Sequence, residues 1–362
     1  MPKPEDIAKV TMPRRPIHGR GATENPPNRF ETLWYVPETD PSGSDDPTPG
    51  THFLKDTSRS IISYNDSPDV GFEASLNPYR GCENGCVYCY ARPTHEYLGF
   101  SAGLDFETKI LVKEDAPELL RRELSSPRWK PQVLAMSGVT DPYQPGERRL
   151  KLTRRCLEVL VEFRNPVAIV TKNHLVTRDL DLLSELARHQ AVAVFVSVTT
   201  LDTNLARVME PRASQPARRL DAIQKLSQAG IPAGVMVAPV VPGLTDHEMP
   251  SIIEAAVKAG AQYAGYVVVR LPHAVKDFFE QWLTQHFPDR KDKVLNRIRS
   301  IRGGKLNDPR FVTRMKGEGI FSEQIQKLFT AACRKTGILG RRPHLSTAAF
   351  RRPSGDQLGL FE

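Results

Sequence analysis

The sequence predicts an α/β fold: a partial or full parallel (β/α) barrel with an irregular N-terminal arm and a helical, basic C-terminal extension. Three observations carry this. From Phe72 onward, short apolar runs alternate with amphipathic stretches. The runs are apolar on both faces, as strands become when helices cover both sides of a sheet. About six such units occur, enough for a barrel-type sheet. A doubly wound open sheet is the alternative.

The elements follow in order. Residues 1–50 are rich in Pro, Gly, Arg and Asp and have little apolar periodicity, so they read as an irregular arm. Within it, His18–Glu31 (HGRGATENPPNRFE) reads as solvated tail. The alternative is that its Arg20 and Arg29 fold against the body or touch a phosphate. Residues 51–287 form the barrel domain. Glu73–Leu76 is its first strand, Tyr90–Leu98 a first helix, Lys109–Val112 (KILV) a second strand, and Ala116–Leu124 a helix with Pro117 in its first turn. Strands are then expected at Val133–Met136, Val167–Thr171, Val192–Val198, Ala233–Val241 and Tyr266–Val269, with helices near 149–163, 177–189, 215–229, 247–259 and 273–286. Residues 288–336 form a basic helical extension, with helices at Asp292–Ile301 and Ser322–Cys333 separated by Gly303–Asp308. Residues 337–362 read as a flexible tail.

Chemistry concentrates in Ser75–Arg92. Cys82, Cys86 and Cys89 stand as C-x3-C-x2-C, so three thiolates can converge from one loop, and Gly81 and Gly85 permit the tight wrap. Thiolates select soft metals and iron–sulfur clusters. A [4Fe–4S] cluster on three cysteines leaves one iron open for chemistry. The alternative is a zinc knuckle that recruits His95. Cys156 and Cys333 stand alone and read as small buried hydrophobes.

This stretch resembles the signature of the radical S-adenosylmethionine (SAM) superfamily, C-x3-C-x-aromatic-C, with Tyr88 as the aromatic residue. The resemblance implies SAM chelated at the open iron and cleaved, by an electron from an external donor, to methionine and a 5′-deoxyadenosyl radical. It also directs attention to the strand ends. Ser137–Glu147 (SGVTDPYQPGE) stands where the superfamily has a Gly-Gly-Glu-like element that binds the SAM amino group, which implicates Gly138, Thr140 and Asp141. Its glycine pair is replaced by Ser137-Gly138, and TDPYQPGE is similar to a narrower group, the spore photoproduct lyase-like or DNA-repair photolyase-like proteins. In those enzymes the strand end occupied here by Ser197 and Thr199 contacts ribose and methionine. Arg212 suits a carboxylate, or else it pairs with Glu210 or caps a helix. Pro242–Asp246 (PGLTD) holds the position of an adenine-contacting strand and equally suits an ordinary strand-to-helix turn. Arg270 ends the last run, facing substrate or closing the barrel.

The chain carries a formal net charge of +8, yet residues 289–352 hold 17 Lys/Arg against 5 Asp/Glu. That concentration favours a polyanionic partner, nucleic acid, over a merely solvated surface. Gln357–Phe361 (QLGLF) resembles the peptide that docks on the bacterial sliding clamp, with docking on the protein's own core as the alternative. No run approaches the length of a membrane span and no secretory segment is evident, so a cytoplasmic protein with reduced cysteines and no membrane partner is expected. The resemblance implies a radical enzyme whose 5′-deoxyadenosyl radical abstracts a hydrogen atom, and likeness to the narrower group extends this to repair of a DNA lesion. The alternatives are the same radical chemistry on RNA or protein, and a non-catalytic iron–sulfur or zinc protein that binds nucleic acid.

Overall fold

The computed structural model of the protein describes residues 16–30 and 49–353. The strands among the described residues are β1 (His52–Lys55), β2 (Ile62–Tyr64), β3 (Ala74–Leu76), β4 (Tyr79–Arg80), β5 (Lys109–Val112), β6 (Leu134–Met136), β7 (Val167–Thr171), β8 (Val192–Ser197), β9 (Ala233–Val240) and β10 (Tyr263–Val268). Seven of them form one sheet in the order β2-β3-β6-β7-β8-β9-β10. From β3 to β10 every neighbouring pair is parallel, and β2 is antiparallel to β3. Among the described residues no ladder joins β10 to β2, so the sheet is open and the full-barrel alternative falls away.

Helices Ala116–Ser125, Leu152–Phe163, Leu180–Arg188, Pro216–Gln228 and Met249–Lys258 are the crossovers between successive parallel strands. Each buries one apolar stripe, for example Leu157, Leu160 and Phe163 of the second. The core runs continuously between helices and sheet through Leu134, Ile169, Val194 and Val235, all with no exposed surface. A second apolar cluster lies beneath the cysteine loop, where Val87 and Met209 meet Leu271, Phe279 and Leu295.

Three sequence expectations are corrected. KILV does not join the main sheet. As β5 it pairs in parallel with β1 and antiparallel with β4, in a small three-stranded sheet that braces the cysteine loop. Its alternating burial fits a sheet covered on one face. The first helix is a 3₁₀ segment, Arg92–Leu98, that starts two residues late because Tyr90 and Ala91 still belong to the loop turn. β10 begins three residues before its apolar run. Its small Ala264 and Gly265 add little hydrophobicity, yet a Cβ on Gly265 would lie 2.7 Å from the Met236 sulfur of the neighbouring strand.

The ends of the chain are not loose where they are described. Residues 16–30 are irregular but docked, contrary to a solvated tail. Asn28 donates to the Glu96 and Phe100 carbonyls, Arg29 pairs with Glu96 at 2.7 Å, and Asn25 donates to Asp105. In the C-terminal region, helices Pro288–Ser300 and Ile320–Lys335 pack on the body, with Phe329 against Tyr266 of β10 at a ring separation of 4.8 Å. Residues 337–353 are pinned too: the Ser346 N–H donates to the Gln190 carbonyl and the Arg351 N–H to that of Phe163. Gln357–Phe361 lies outside the described residues.

Candidate active site

A cavity of about 270 Å³ opens where the C-terminal ends of β6 to β10 meet the cysteine loop. Cys82, Cys86 and Cys89 all line it. The loop that carries them turns at Gly81 and Gly85, with φ of +83° and +67°, a region that residues with a Cβ rarely adopt. Burial pushes all three thiols above the ordinary cysteine range. Asp141 and the neighbouring thiols add to this at Cys82, and Glu210 adds to it at Cys86. Backbone N–H groups work the other way, from Asp141 toward Cys82 and from Ala91 and Arg92 toward Cys89. A thiolate set of this kind is stable only beside a cation, so the donors fit a bound metal cluster.

The zinc alternative fits poorly. His95 does not line the cavity. It is fully buried with Phe100 and Phe106, at ring separations of 5.3 and 5.6 Å. Among the described residues no group of three or more His, Cys, Asp or Glu gathers as a single ion requires. A four-iron cube holds its thiolates farther apart than one zinc ion does, and three thiols around one cavity suit it. Cys156 and Cys333 are buried elsewhere in the core and do not line the cavity.

Burial also pushes the His95 pKa down to about 4. Between the ordinary value of 6.5 and that value, the unfolded chain takes up a proton that the folded chain refuses. Stability from the neutral ring is therefore complete above pH 6.5 and is lost as pH falls toward 4, by about 3 kcal/mol in all. We expect His95→Leu to flatten urea stability between pH 7 and 4.5 relative to the parent protein. Equal acid sensitivity of the two proteins refutes that role.

Of the other sequence candidates, Tyr88, Gly138, Thr140, Asp141 and Ser197 line the cavity, and Thr199 and Arg212 do not. Asp141 faces the cavity with no acceptor capacity to spare. One oxygen accepts from the Tyr143 N–H and the Thr171 hydroxyl, and the other from Asn84, the Lys172 N–H and Asn173. It therefore holds the loops together and does not itself grip a ligand. Thr140 donates to the Tyr79 carbonyl and Gly138 accepts from the Tyr90 hydroxyl. The Ser197 hydroxyl has no protein partner among the described residues, which leaves it open toward the cavity. Arg212 pairs instead with Glu83 of the cysteine loop at 3.1 Å, so neither the ligand role nor the pairing with Glu210 is seen.

Thr199 belongs to a buried network behind the cavity wall. Glu210, fully buried, accepts from the Tyr88 hydroxyl and from the Thr199 hydroxyl at 2.7 Å, and pairs with Arg219 and with Lys172 at 3.1 Å. Burial raises the Glu210 pKa while Arg219 draws it back, and four donors around one carboxylate keep it in use as an acceptor. Lys172 lines the cavity, with its Nζ also donating to the Ala238 carbonyl at 2.9 Å. Burial, with Arg219 assisting, pushes its pKa down to about 8. Sequence reasoning missed Lys172, although it directly follows the β7 run and strand ends were the place to search, and it weighed Glu210 only as a partner of Arg212. At the outer wall it named Arg270 but not the partners that hold it there. There Arg270 lies over the Tyr90 ring at 4.9 Å and points to the Met315 sulfur at 3.7 Å, and Met315 comes from the C-terminal extension.

The family model for the Radical SAM superfamily matches residues 76–256. An uncharacterized protein of Mycobacterium tuberculosis is 38% identical over 220 residues, which are 60% of this chain and 65% of that protein. The match thus spans slightly less than two thirds of that relative. The radical SAM Nα-GlyT isomerase of Pseudomonas phage M6 is 29% identical over 173 residues, 47% of this chain and 34% of its own. In fold, the chain resembles spore photoproduct lyase complexed with dinucleoside spore photoproduct. The TM-score is 0.58 at 15% identity, covering 78% of this chain and 79% of that one.

Proposed function

The chain belongs to the radical SAM superfamily and is an enzyme, and from that premise we propose that it uses a [4Fe–4S] cluster and SAM to abstract hydrogen from a nucleic-acid substrate, as a DNA-repair or base-modifying enzyme. The observation that carries the reading is the convergence of Cys82, Cys86 and Cys89 on one cavity at the ends of the parallel strands. Such a cluster, fed by an external electron donor, supplies the electron that cleaves SAM. Family membership sets aside the non-catalytic alternative.

The protein's own groups have distinct tasks. The three cysteines hold iron, and burial of Cys82 and Cys86 keeps water from it. The Lys172 ammonium and the Ser197 hydroxyl, both on the cavity wall, offer a cation and a hydrogen bond to the polar end of SAM. Thr199, Glu210 and Arg219 hold Lys172 in place from behind. Asp141 ties the loop after β6 to the cysteine loop through Asn84. Tyr90, Arg270 and Met315 form the wall on the substrate side. Cytoplasmic placement belongs to the same proposal, because cysteines stay reduced there. Among the described residues no helix is long and apolar enough to cross a membrane.

The nucleic-acid part rests on the C-terminal charge, which the structure partly discounts. Lys291, Arg297, Arg310, Arg314 and Lys335 pair with carboxylates. Arg290, Lys293, Lys305, Lys327, Arg334, Arg341 and Arg342 are exposed and have no ion pair among the described residues. The resemblance of Gln357–Phe361 to a clamp-binding peptide adds a second proposed contact. The test is 5′-deoxyadenosine formation under reductant with and without nucleic acid, alongside salt titrations of binding. Replacing Arg341 and Arg342 by alanine is expected to weaken binding across sequences and reduce the slope of log K against log salt by about 2. An unchanged slope removes this surface from the interface, and RNA outcompeting DNA moves the substrate to RNA.

A further inference from the structure

We infer that Arg92 and Glu107 are positioning residues that lock the cysteine loop to the N-terminal segment 18–30, so that this segment sets the geometry in which iron is held. The inference rests on the cluster reading. Both side chains are fully buried and paired at 2.5 Å. Arg92 sends Nε and Nη2 to the carbonyl of Cys86, at 3.1 and 3.0 Å, and Nη1 to the carbonyls of Ala102 and Gly103. Its guanidinium lies between the rings of Phe106 and Phe278, 5.5 Å from each centroid. A planar fork held in this way fixes the peptide of a cluster ligand more firmly than a lysine can.

Glu107 carries the same constraint outward. Its carboxylate accepts from the N–H groups of Ala22 at 2.8 Å and Gly21 at 3.0 Å, and its carbonyl accepts from Arg20 at 3.1 Å. Gly21 in turn lies flat on the loop: a Cβ there would sit 1.8 Å from the carbonyl oxygen of Gly85, which a side chain cannot do without lifting the segment. One buried acid thus joins the segment, the Arg92 fork and the peptide between the first two cluster cysteines. Arg92–Glu107 takes no part in lining the cavity, so its role runs through the loop and not through substrate.

The test uses Gly21→Ala, which removes no charge, and Arg92→Lys, which keeps the charge but loses the fork. In iron-free full-length protein, hydrogen exchange is read at Cys82, Cys89 and Arg92, whose N–H groups are bonded to Phe106, Cys86 and Cys89 carbonyls. Both variants are expected to exchange there at least about ten-fold faster while β7 to β9 keep their protection. After anaerobic reconstitution they are expected to retain less than about half the iron of the parent protein. Parental exchange and iron in both variants overturn the inference, and so does equal acceleration throughout the sheet, which marks mere loss of stability. If the parent protein and its Cys86→Ala variant bind equal iron, the cluster reading fails, whereas the exchange result on iron-free protein still decides whether the lock exists.

Discussion

Cys86→Ala protein, reconstituted anaerobically with iron and sulfide, is expected to emerge without its cluster, and its cleavage of SAM is expected to fall to background. The parent protein should hold about four irons on three cysteines. Removing one ligand leaves two thiols on the cavity wall, and among the described residues no other thiol and no imidazole lines it. Cys156 and Cys333 are buried away from the cavity, and His95 is enclosed by Phe100 and Phe106. Cys82→Ala and Cys89→Ala should behave alike, because all three line the same cavity. The substitution is small, so the fold should survive at a cost of about 1 kcal/mol. Iron analysis and 5′-deoxyadenosine formation are the measurements. Full iron in the Cys86→Ala protein would end the assignment.

Glu210→Ala is the change expected to harm the fold most. It strips a carboxylate that pairs with two cations, Arg219 at 1% side-chain exposure and Lys172 at 16%. Removing one partner of a buried ion pair leaves charge with no compensation, which costs about 3–5 kcal/mol. The hydroxyls of Tyr88 and Thr199 lose their acceptor in the same step. Glu210→Gln keeps one acceptor oxygen and should lose less. Anaerobic urea denaturation of both variants decides the matter. A loss below about 1 kcal/mol in the alanine variant shows that the network does not support the cavity wall.

Each success of the sequence reading rested on a local signal. Alternating apolar runs marked β6 to β9 because strands buried on both faces must be apolar throughout. The spacing of Cys82, Cys86 and Cys89 was legible because one short loop brings all three together. Thr199 and Arg212 were misplaced because a position at a strand end does not say which way a side chain faces. Thr199 turns behind the wall to Glu210, and Arg212 turns back to Glu83.

By itself the sequence determined the cysteine constellation and the parallel sheet, since both depend on residues close together in the chain. Only the tertiary structure decided the partners of those groups. Lys172 meets Glu210 across 38 positions by sequence number, Arg270 meets Met315 across 45, and Gly21 meets Glu107 across 86. Such pairings exist because buried charges and N–H groups must find acceptors wherever the fold brings them. A linear pattern carries periodicity and spacing, but the desolvation that selects those partners acts only after the chain has closed around them.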